Sequence, residues 1–369
     1  MVKIAVYLAG GGARGAYQVG ALKAISEILQ TKKLPFSIIS GVSIGSINAA
    51  ILAQHADNFL MGVDKLESLW ANIHCEDVYN TSNYELSKSV LRNLGHLLLQ
   101  QRNTGFLLDT TPLNNFISTN INFEKIRENI AADHIETIEI LANCYETQKT
   151  VSFYQHHQPA FEDWSLPRHI SQSTTINKEH LIASGALPLF FPPININGLD
   201  YGDGSVGLSS PLRGSLRFNA TKILIIGTRQ PPVETAPEAM GNDSIGFAQV
   251  LGNILNSIFL DNLDRDIEMV NRMNEIARLL SLWNKRKSPW RPVETLYLLP
   301  SANIPKMAQD HYHSMPRVLR MLLNALGAEK HSGNLLSFLL FEKQFTQQLI
   351  EAGYRDTMLN YDAITRFFS

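Results

Sequence analysis

A glycine-flanked serine between a strand pattern and a helix pattern is the feature that most restricts how this chain can fold. Ser43 lies at the centre of the pentapeptide from Gly41 to Gly45, after an apolar run at 36–40 and before a helical pattern from Ile44 to Gln54. The two glycines relieve crowding in a tight, strained turn and let another molecule approach the hydroxyl. Such a strand–turn–helix unit presents a serine as an exposed nucleophile.

A glycine-rich loop follows the first predicted strand. Gly10, Gly11, Gly12 and Gly15, together with Arg14, stand between an apolar run at 2–8 and a helical pattern at 15–30. We interpret the loop as an oxyanion hole, in which the Gly11 and Gly12 amides point at a carbonyl oxygen. Arg14 has three open roles: supporting the loop, contacting the oxyanion or forming a structural ion pair.

The same glycine loop also fits the spacing of a dinucleotide-binding fingerprint. That fold expects an acidic residue about 20 positions further on, at the end of the second strand. Here the second strand ends at residues 40–43 without Asp or Glu, and no Lys-Ser/Thr pair completes a phosphate loop. A dinucleotide binder is therefore the weaker alternative.

Asp203, followed by Gly204, is the candidate base. It comes after a short strand pattern at Ile194–Ile196, and its carboxylate could take the Ser43 proton directly. Asp200 is close by but has no glycine after it. A conventional triad would need a later histidine, yet His311, His313 and His331 stand in no recognisable motif. No metal-ligand spacing is present, so no metal is predicted.

Strand and helix patterns alternate in the first half of the chain, which predicts parallel strands with right-handed crossovers. Residues 57–130 look mostly helical, and strands at 138–145 and 150–154 suggest an antiparallel pair at the sheet edge. A strand at 222–227 and a loop at 230–243 follow. Beyond them we expect a helix over 244–283, a strand at 295–299 and two helical stretches to the end.

Composition narrows the class of protein. A net charge of −2 gives no support for a nucleic-acid partner, and two cysteines among 369 residues are too few for a disulfide framework. The apolar run at 4–9 is shorter than a secretion-signal core, and no stretch approaches the roughly 20 apolar residues of a membrane span. We expect a cytoplasmic protein, with export by a signal-less secretion system left open.

Taken together, these blocks resemble the patatin-like phospholipase family. Its pattern is a Gly-Gly-Gly-x-Arg-Gly loop, a Gly-x-Ser-x-Gly elbow and an Asp-Gly-Gly/Ala base, matched here at Gly10–Gly15, Gly41–Gly45 and Asp203-Gly204. The segment from Ala183 to Pro193 resembles the family's Ala-Ser-x-Ala-x-Pro stretch before the base. Ser205 departs from the pattern, since Gly or Ala is usual there. The resemblance covers roughly residues 4–215 and suggests, beyond them, the helical extension of some bacterial members.

The resemblance implies a three-layer α/β/α fold with a mainly parallel sheet, a catalytic domain at 1–230 and a mostly helical extension at 231–369 packed on it. It implies a Ser43 nucleophile and an Asp203 proton acceptor, with Gly41, Gly45 and Gly204 as supporting glycines. The substrates would be carboxylic esters of phospholipids, lysophospholipids or acylglycerols, without a cofactor and with transient contact to a membrane or micelle surface. A lipid-binding or regulatory protein that needs a partner for activity is the alternative.

Overall fold

The computed structural model describes residues 2–81, 106–158, 161–230, 247–279, 291–325 and 332–369. Ten strands form one sheet: β1 (Ile4–Leu8), β2 (Ile38–Val42), β3 (Thr137–Cys144), β4 (Lys149–His156), β5 (Ser165–Leu166), β6 (His169–Ser173), β7 (Ile194–Ile196), β8 (Leu199–Asp203), β9 (Lys222–Ile226) and β10 (Glu294–Leu298). The strand order is β10-β9-β1-β2-β3-β4-β6-β5, and the β7–β8 hairpin joins through β8 to β3.

Helices cover the sheet. They are α1 (Ala16–Leu29), α2 (Ile44–Gln54), α3 (Phe59–Trp70), α4 (Cys75–Val78), α5 (Thr111–Asn120), α6 (Phe123–Ala131), α7 (Lys178–Ser184), α8 (Arg213–Arg217), α9 (Phe247–Leu279), α10 (Ile304–Asp310), α11 (Arg317–Ala325), α12 (Gly333–Leu339), α13 (Lys343–Leu359) and α14 (Tyr361–Phe368). Short 3₁₀ turns occupy Gly12–Gly15 and Tyr312–Ser314.

The sheet separates two hydrophobic cores, because successive side chains of a strand point to opposite faces. In β1, Val6 and Leu8 belong to the core beneath α1 and α2. Ala5 and Tyr7 belong to the other core, to which α9 contributes Leu263. The prediction of a three-layer α/β fold is thus confirmed.

The five strands from β10 to β3 run parallel. Their carboxyl ends therefore meet at one edge of the sheet, where ligands of open α/β sheets bind. β1 ends at Leu8, immediately before the glycine loop, and β2 ends at Val42, immediately before Ser43. Leu8 pairs with Gly41, so the parallel register brings the two glycine-rich turns side by side.

Two expectations about the elements need correction. β3 and β4 are antiparallel as expected, but they lie inside the sheet, because β6 and β5 continue it beyond β4. These two short strands carry too few apolar residues to produce a hydrophobic pattern. The two helical stretches expected after β10 are in fact several shorter helices, α10 to α14. The predicted loop at 230–243 lies, apart from Gln230, outside the described residues.

Candidate active site

Ser43 occupies a strained turn between β2 and α2. Its backbone angles are φ 54° and ψ −128°, a region that non-glycine residues adopt only where the surroundings fix them. The neighbouring glycines allow this close packing. A Cβ on Gly41 would overlap the Gly45 carbonyl, and a Cβ on Gly45 would overlap the Leu8 carbonyl of β1.

Asp203 faces Ser43 directly. The Ser43 hydroxyl donates a hydrogen bond to Asp203 Oδ2 at 2.6 Å, and both side chains are buried. Asp203 is the last residue of β8 and pairs with Ala142 of β3, which places it beside the end of β2. Gly204 is required for this approach, because a Cβ there would overlap the Leu141 carbonyl.

The Asp203 carboxyl titrates in an unusual range. Complete burial raises its pKa from the ordinary value of 3.8 to about 7, because a charged carboxylate loses its hydration. The bond from Ser43 acts against this shift, as does the Ser205 amide, which donates to Oδ1 at 2.9 Å. Asp203 can therefore exchange a proton near neutral pH, as general base catalysis requires.

Ser184 connects the elements that hold Ser43 and Asp203. Its hydroxyl accepts a bond from the Ser43 amide at 2.9 Å and donates to the Leu141 carbonyl at 2.6 Å. Its own carbonyl accepts the Gly204 amide at 3.2 Å. Ser184 was not predicted as a site residue. The segment from Ala183 to Pro193 that resembles the family pattern contains it, and this segment is the sequence signal that points to it.

The backbone of the glycine loop is fixed by its carbonyl groups. The Gly10 carbonyl accepts the Thr228 hydroxyl, and the Gly11 carbonyl accepts the Arg14 amide at 3.2 Å. The described peptide bonds are trans, so each N–H points away from the carbonyl of the residue before it. The Gly11 and Gly12 amides are thereby turned away from these contacts, and Gly12 lines the same pocket as Ser43.

The Arg14 side chain is turned toward the C-terminal helices. Nε donates to Ser337 Oγ at 2.9 Å, Nη1 donates to Asn256 Oδ1 at 3.0 Å, and the guanidinium lies 4.2 Å from the Phe338 ring centre. Burial lowers the Arg14 pKa to about 9. Of the roles left open for Arg14, these contacts favour support of the loop. Gly15 packs against Ile44, where an added Cβ would be 2.8 Å from Cγ2.

The candidate histidines lie elsewhere. His311 is 6.4 Å from the Phe345 ring, and His313 neighbours Arg320, both in the C-terminal helical part. His331 lies outside the described residues. Within the described ranges no cluster of three or more His, Cys, Asp or Glu side chains could hold a metal.

An apolar pocket extends from Ser43. α2 lines it with Ile44, Ile47 and Ile51, and Trp70, Leu113 and Phe341 are also part of the lining. Apart from Ser43, all the lining residues are apolar or glycine. A chain of methylene groups fits such a lining, because burying apolar surface is favourable by about 25 cal/mol per Å².

No described helix combines the length and the apolar character needed to cross a bilayer.

Comparison with known proteins gives one family and several distant relatives. The family model described as patatin-like phospholipase matches residues 6–215, more than half of the chain. The lysophospholipase nte1 of Aspergillus terreus is 30% identical over 117 residues, which cover 29% of this chain and 7% of the relative. The corresponding protein of Aspergillus oryzae is 32% identical over 102 residues, which cover 25% of this chain and 6% of the relative.

The matched region spans less than a tenth of the length of these curated relatives. Among solved structures, VipD from Legionella pneumophila aligns over 98% of this chain and 67% of its own, with 12% identity and a TM-score of 0.39.

Proposed function

The chain belongs to the patatin-like phospholipase family, and we propose that it hydrolyses carboxylic esters of lipids through a Ser43–Asp203 dyad. The observation that carries the proposal is the 2.6 Å hydrogen bond from Ser43 to Asp203 at the end of an apolar pocket. The substrate class is phospholipids, lysophospholipids or acylglycerols. The relatives are named lysophospholipases, which supports the second of these classes.

The reaction would proceed in two halves. Ser43 Oγ attacks the ester carbonyl carbon while its proton passes to Asp203 Oδ2, and the carbonyl oxygen becomes an oxyanion. Collapse of this intermediate expels the alcohol, which takes the proton from Asp203, and leaves Ser43 acylated. Asp203 then accepts a proton from water, whose oxygen attacks the acyl-enzyme. The fatty acid leaves as Ser43 regains a proton.

The glycine loop would stabilise the oxyanion. The Gly11 and Gly12 amides are the candidate donors. The carbonyl group of each of these two peptide bonds already accepts a hydrogen bond, and the N–H group points in the opposite direction. The N-terminus of α2, directly after Ser43, would favour negative charge at the same place. Removing one such donor typically costs about 2.7–4 kcal/mol of transition-state stabilisation.

The alternatives have less support. A dinucleotide would need polar partners for its phosphates and ribose, whereas the pocket beside the glycine loop is apolar. A protein that only binds lipid would not require a strained serine bonded to a buried carboxyl, whereas a regulated enzyme that needs a partner for activity stays the alternative. Transient contact with a membrane or micelle surface, and a cytoplasmic location, stay predictions.

Covalent labelling tests the proposal. A fluorophosphonate with an alkyl chain should form one adduct, located on Ser43 by peptide mapping, and Ser43→Ala should form none. Asp203→Asn should be labelled more slowly by roughly 10²–10⁴-fold, the usual contribution of a general base. Ser26→Ala is the matched control, because the Ser26 hydroxyl donates to the Lys23 carbonyl of its own helix and does not line the pocket that contains Ser43.

The rates of hydrolysis of lysophosphatidylcholine, phosphatidylcholine and monoacylglycerol should rank the proteins in the same order. Wild type should be fastest, Asp203→Asn slower, and Ser43→Ala inactive. A folded wild-type protein that is neither labelled nor active on any of these esters would overturn the proposal and favour a binding role.

A further inference from the structure

The C-terminal residues 333–341, here called the α12 segment, reach the candidate active site from outside the region that the family model matches. The segment comprises α12 and the two residues after it, and the matched region ends at residue 215. Of its nine positions, all but Asn334 are buried. It contacts both the glycine loop and the apolar pocket.

The first contact is with the glycine loop. Gly12 packs against the Phe338 carbonyl so closely that an added Cβ would overlap it. The Arg14 guanidinium covers the Phe338 ring at 4.2 Å and donates to Ser337 Oγ. A hydrogen bond from a charged donor is stronger than one between neutral groups, so this contact helps to hold the segment in position. The α12 segment is thus fixed relative to the loop next to Ser43.

The second contact is with the pocket. Phe338 and Phe341 line it together with Ser43, and the Phe341 ring stacks on Trp70 with centroids 6.2 Å apart. The Tyr79 hydroxyl donates to the Leu339 carbonyl at 2.5 Å, which gives the segment a further hydrogen bond to the family region. Two aromatic side chains of the C-terminal part therefore form part of a surface whose other members come from the family region.

We propose that the α12 segment is the part of the catalytic pocket that selects the acyl chain, with Phe341 as its main contact to the chain. The proposal rests on the proposed ester hydrolysis at Ser43. An acyl group bonded to Ser43 has only apolar surface to follow, and Phe341 lies on that surface. Chains long enough to touch the ring gain contact area with it, and chains too short to reach it do not.

Phe341→Ala tests the proposal with two fluorophosphonates, one with a short alkyl chain and one with a long alkyl chain. The labelling rate of Ser43 by the long-chain probe should fall by roughly tenfold, the effect expected of losing pocket contacts with one side chain. The rate with the short-chain probe should fall by much less, so the ratio of the long-chain rate to the short-chain rate should drop. Phe341→Leu should give an intermediate ratio and supplies the readout if the alanine variant does not fold.

Phe345→Ala is the matched control. Phe345 is fully buried in α13 nearby but does not line the pocket, so its removal should lower stability without changing the ratio of the two rates. Equal changes for both probes in the Phe341 variants, or no change, would overturn this proposal and leave the proposed function intact. Failure of both probes to label the folded wild type would overturn both.

Discussion

Asp203 is the residue whose surroundings depart most from those of an ordinary carboxylate. It is completely buried, and its pKa is set by burial and by hydrogen bonds from Ser43 and Ser205 rather than by a lysine or arginine. Its compensating partners are a serine hydroxyl and a backbone amide. Such partners stabilise the charged form less than a cation would, so burial dominates and raises the pKa to about 7.

The raised pKa of Asp203 predicts that activity and stability depend on pH in opposite directions. The base must be ionised, so kcat/KM should fall as pH drops through about 7. For stability, the folded-state pKa lies above the unfolded value of 3.8. The contribution of Asp203 to the free energy of unfolding is therefore fully present below pH 3.8 and is lost as pH rises through about 7.

Asp203→Asn should remove this part of the pH dependence. Denaturant unfolding between about pH 5 and about pH 8 should show wild type losing stability relative to the variant as pH rises. Other buried acids such as Glu139 and Asp266 titrate in both proteins, and the comparison cancels them. A constant difference across the range would contradict the assignment.

Ser184→Ala should damage activity through the position of Ser43. The substitution leaves the buried Ser43 amide without its acceptor, which typically costs about 1–3 kcal/mol. The turn can then relax, so we expect kcat to fall while KM changes little. Ser184→Thr retains the hydroxyl and should recover part of the activity, whereas full activity of a folded Ser184→Ala protein would exclude a positioning role.

At the scale of elements, close helix packing sets the position of the glycine loop. α1, which begins at Ala16 directly after the loop, crosses α13 at two glycines. A Cβ on Gly20 would overlap the Ile350 carbonyl, and a Cβ on Gly353 would overlap the Tyr17 carbonyl. The two helices therefore approach backbone to backbone, which only residues without a side chain allow.

Gly353→Ala should separate these helices. Alanine is the better helix former by about 1 kcal/mol, but the overlap with a backbone atom cannot be relieved by a rotamer change. We expect a net loss of about 1–3 kcal/mol in the free energy of unfolding. Gly62→Ala in α3 is the control, because its added Cβ would meet side-chain atoms and no backbone atom, at 3.1 Å from His55 and 3.7 Å from Leu52. Equal effects of the two substitutions would contradict the packing argument.

At the scale of the whole molecule, the part of the chain after residue 230 completes the sheet and the core. β10 pairs in parallel with β9 along its full length, from Glu294 opposite Lys222 to Leu298 opposite Ile226. α13 buries Phe345 and Leu349 in the same core as α1. The division into a catalytic domain at 1–230 and an extension at 231–369 stays a prediction. Because these contacts join the two parts, we expect that the first part cannot fold without the second.

A chain ending at residue 230 should not reach the native state. Truncation would expose the edge of β9 and the apolar face of α1 that α13 covers, and both favour aggregation. We expect no cooperative unfolding transition and rapid proteolysis across the 1–230 region. A truncated protein that unfolds cooperatively and still labels at Ser43 would show that the first 230 residues are an independent unit.

Local patterns were sufficient for most of the first half of the fold. The spacing of apolar residues predicted β1, α1, β2 and α2, and α2 spans Ile44–Gln54 as expected. The short strands β5 and β6 were missed because strands this poor in apolar residues carry no periodic signal. The sequence predicted two helical stretches after β10, whereas the described residues there form five helices, because the boundaries of these helices depend on packing rather than on local sequence.

The motifs could be recognised without the fold. The glycines at 41, 45 and 204 and the glycine loop at 10–15 stand in short patterns that predict Ser43 and Asp203 as candidate site residues. The close contacts that require glycine at 45 and 204, to carbonyls of other strands, depend on the tertiary structure, as does everything that surrounds the two side chains. Burial, which raises the Asp203 pKa, the bonds of Ser184 and the direction of Arg14 toward Ser337 join residues far apart in the chain. Solvent exclusion and hydrogen-bond partners are properties of the packed molecule, and no local pattern contains them.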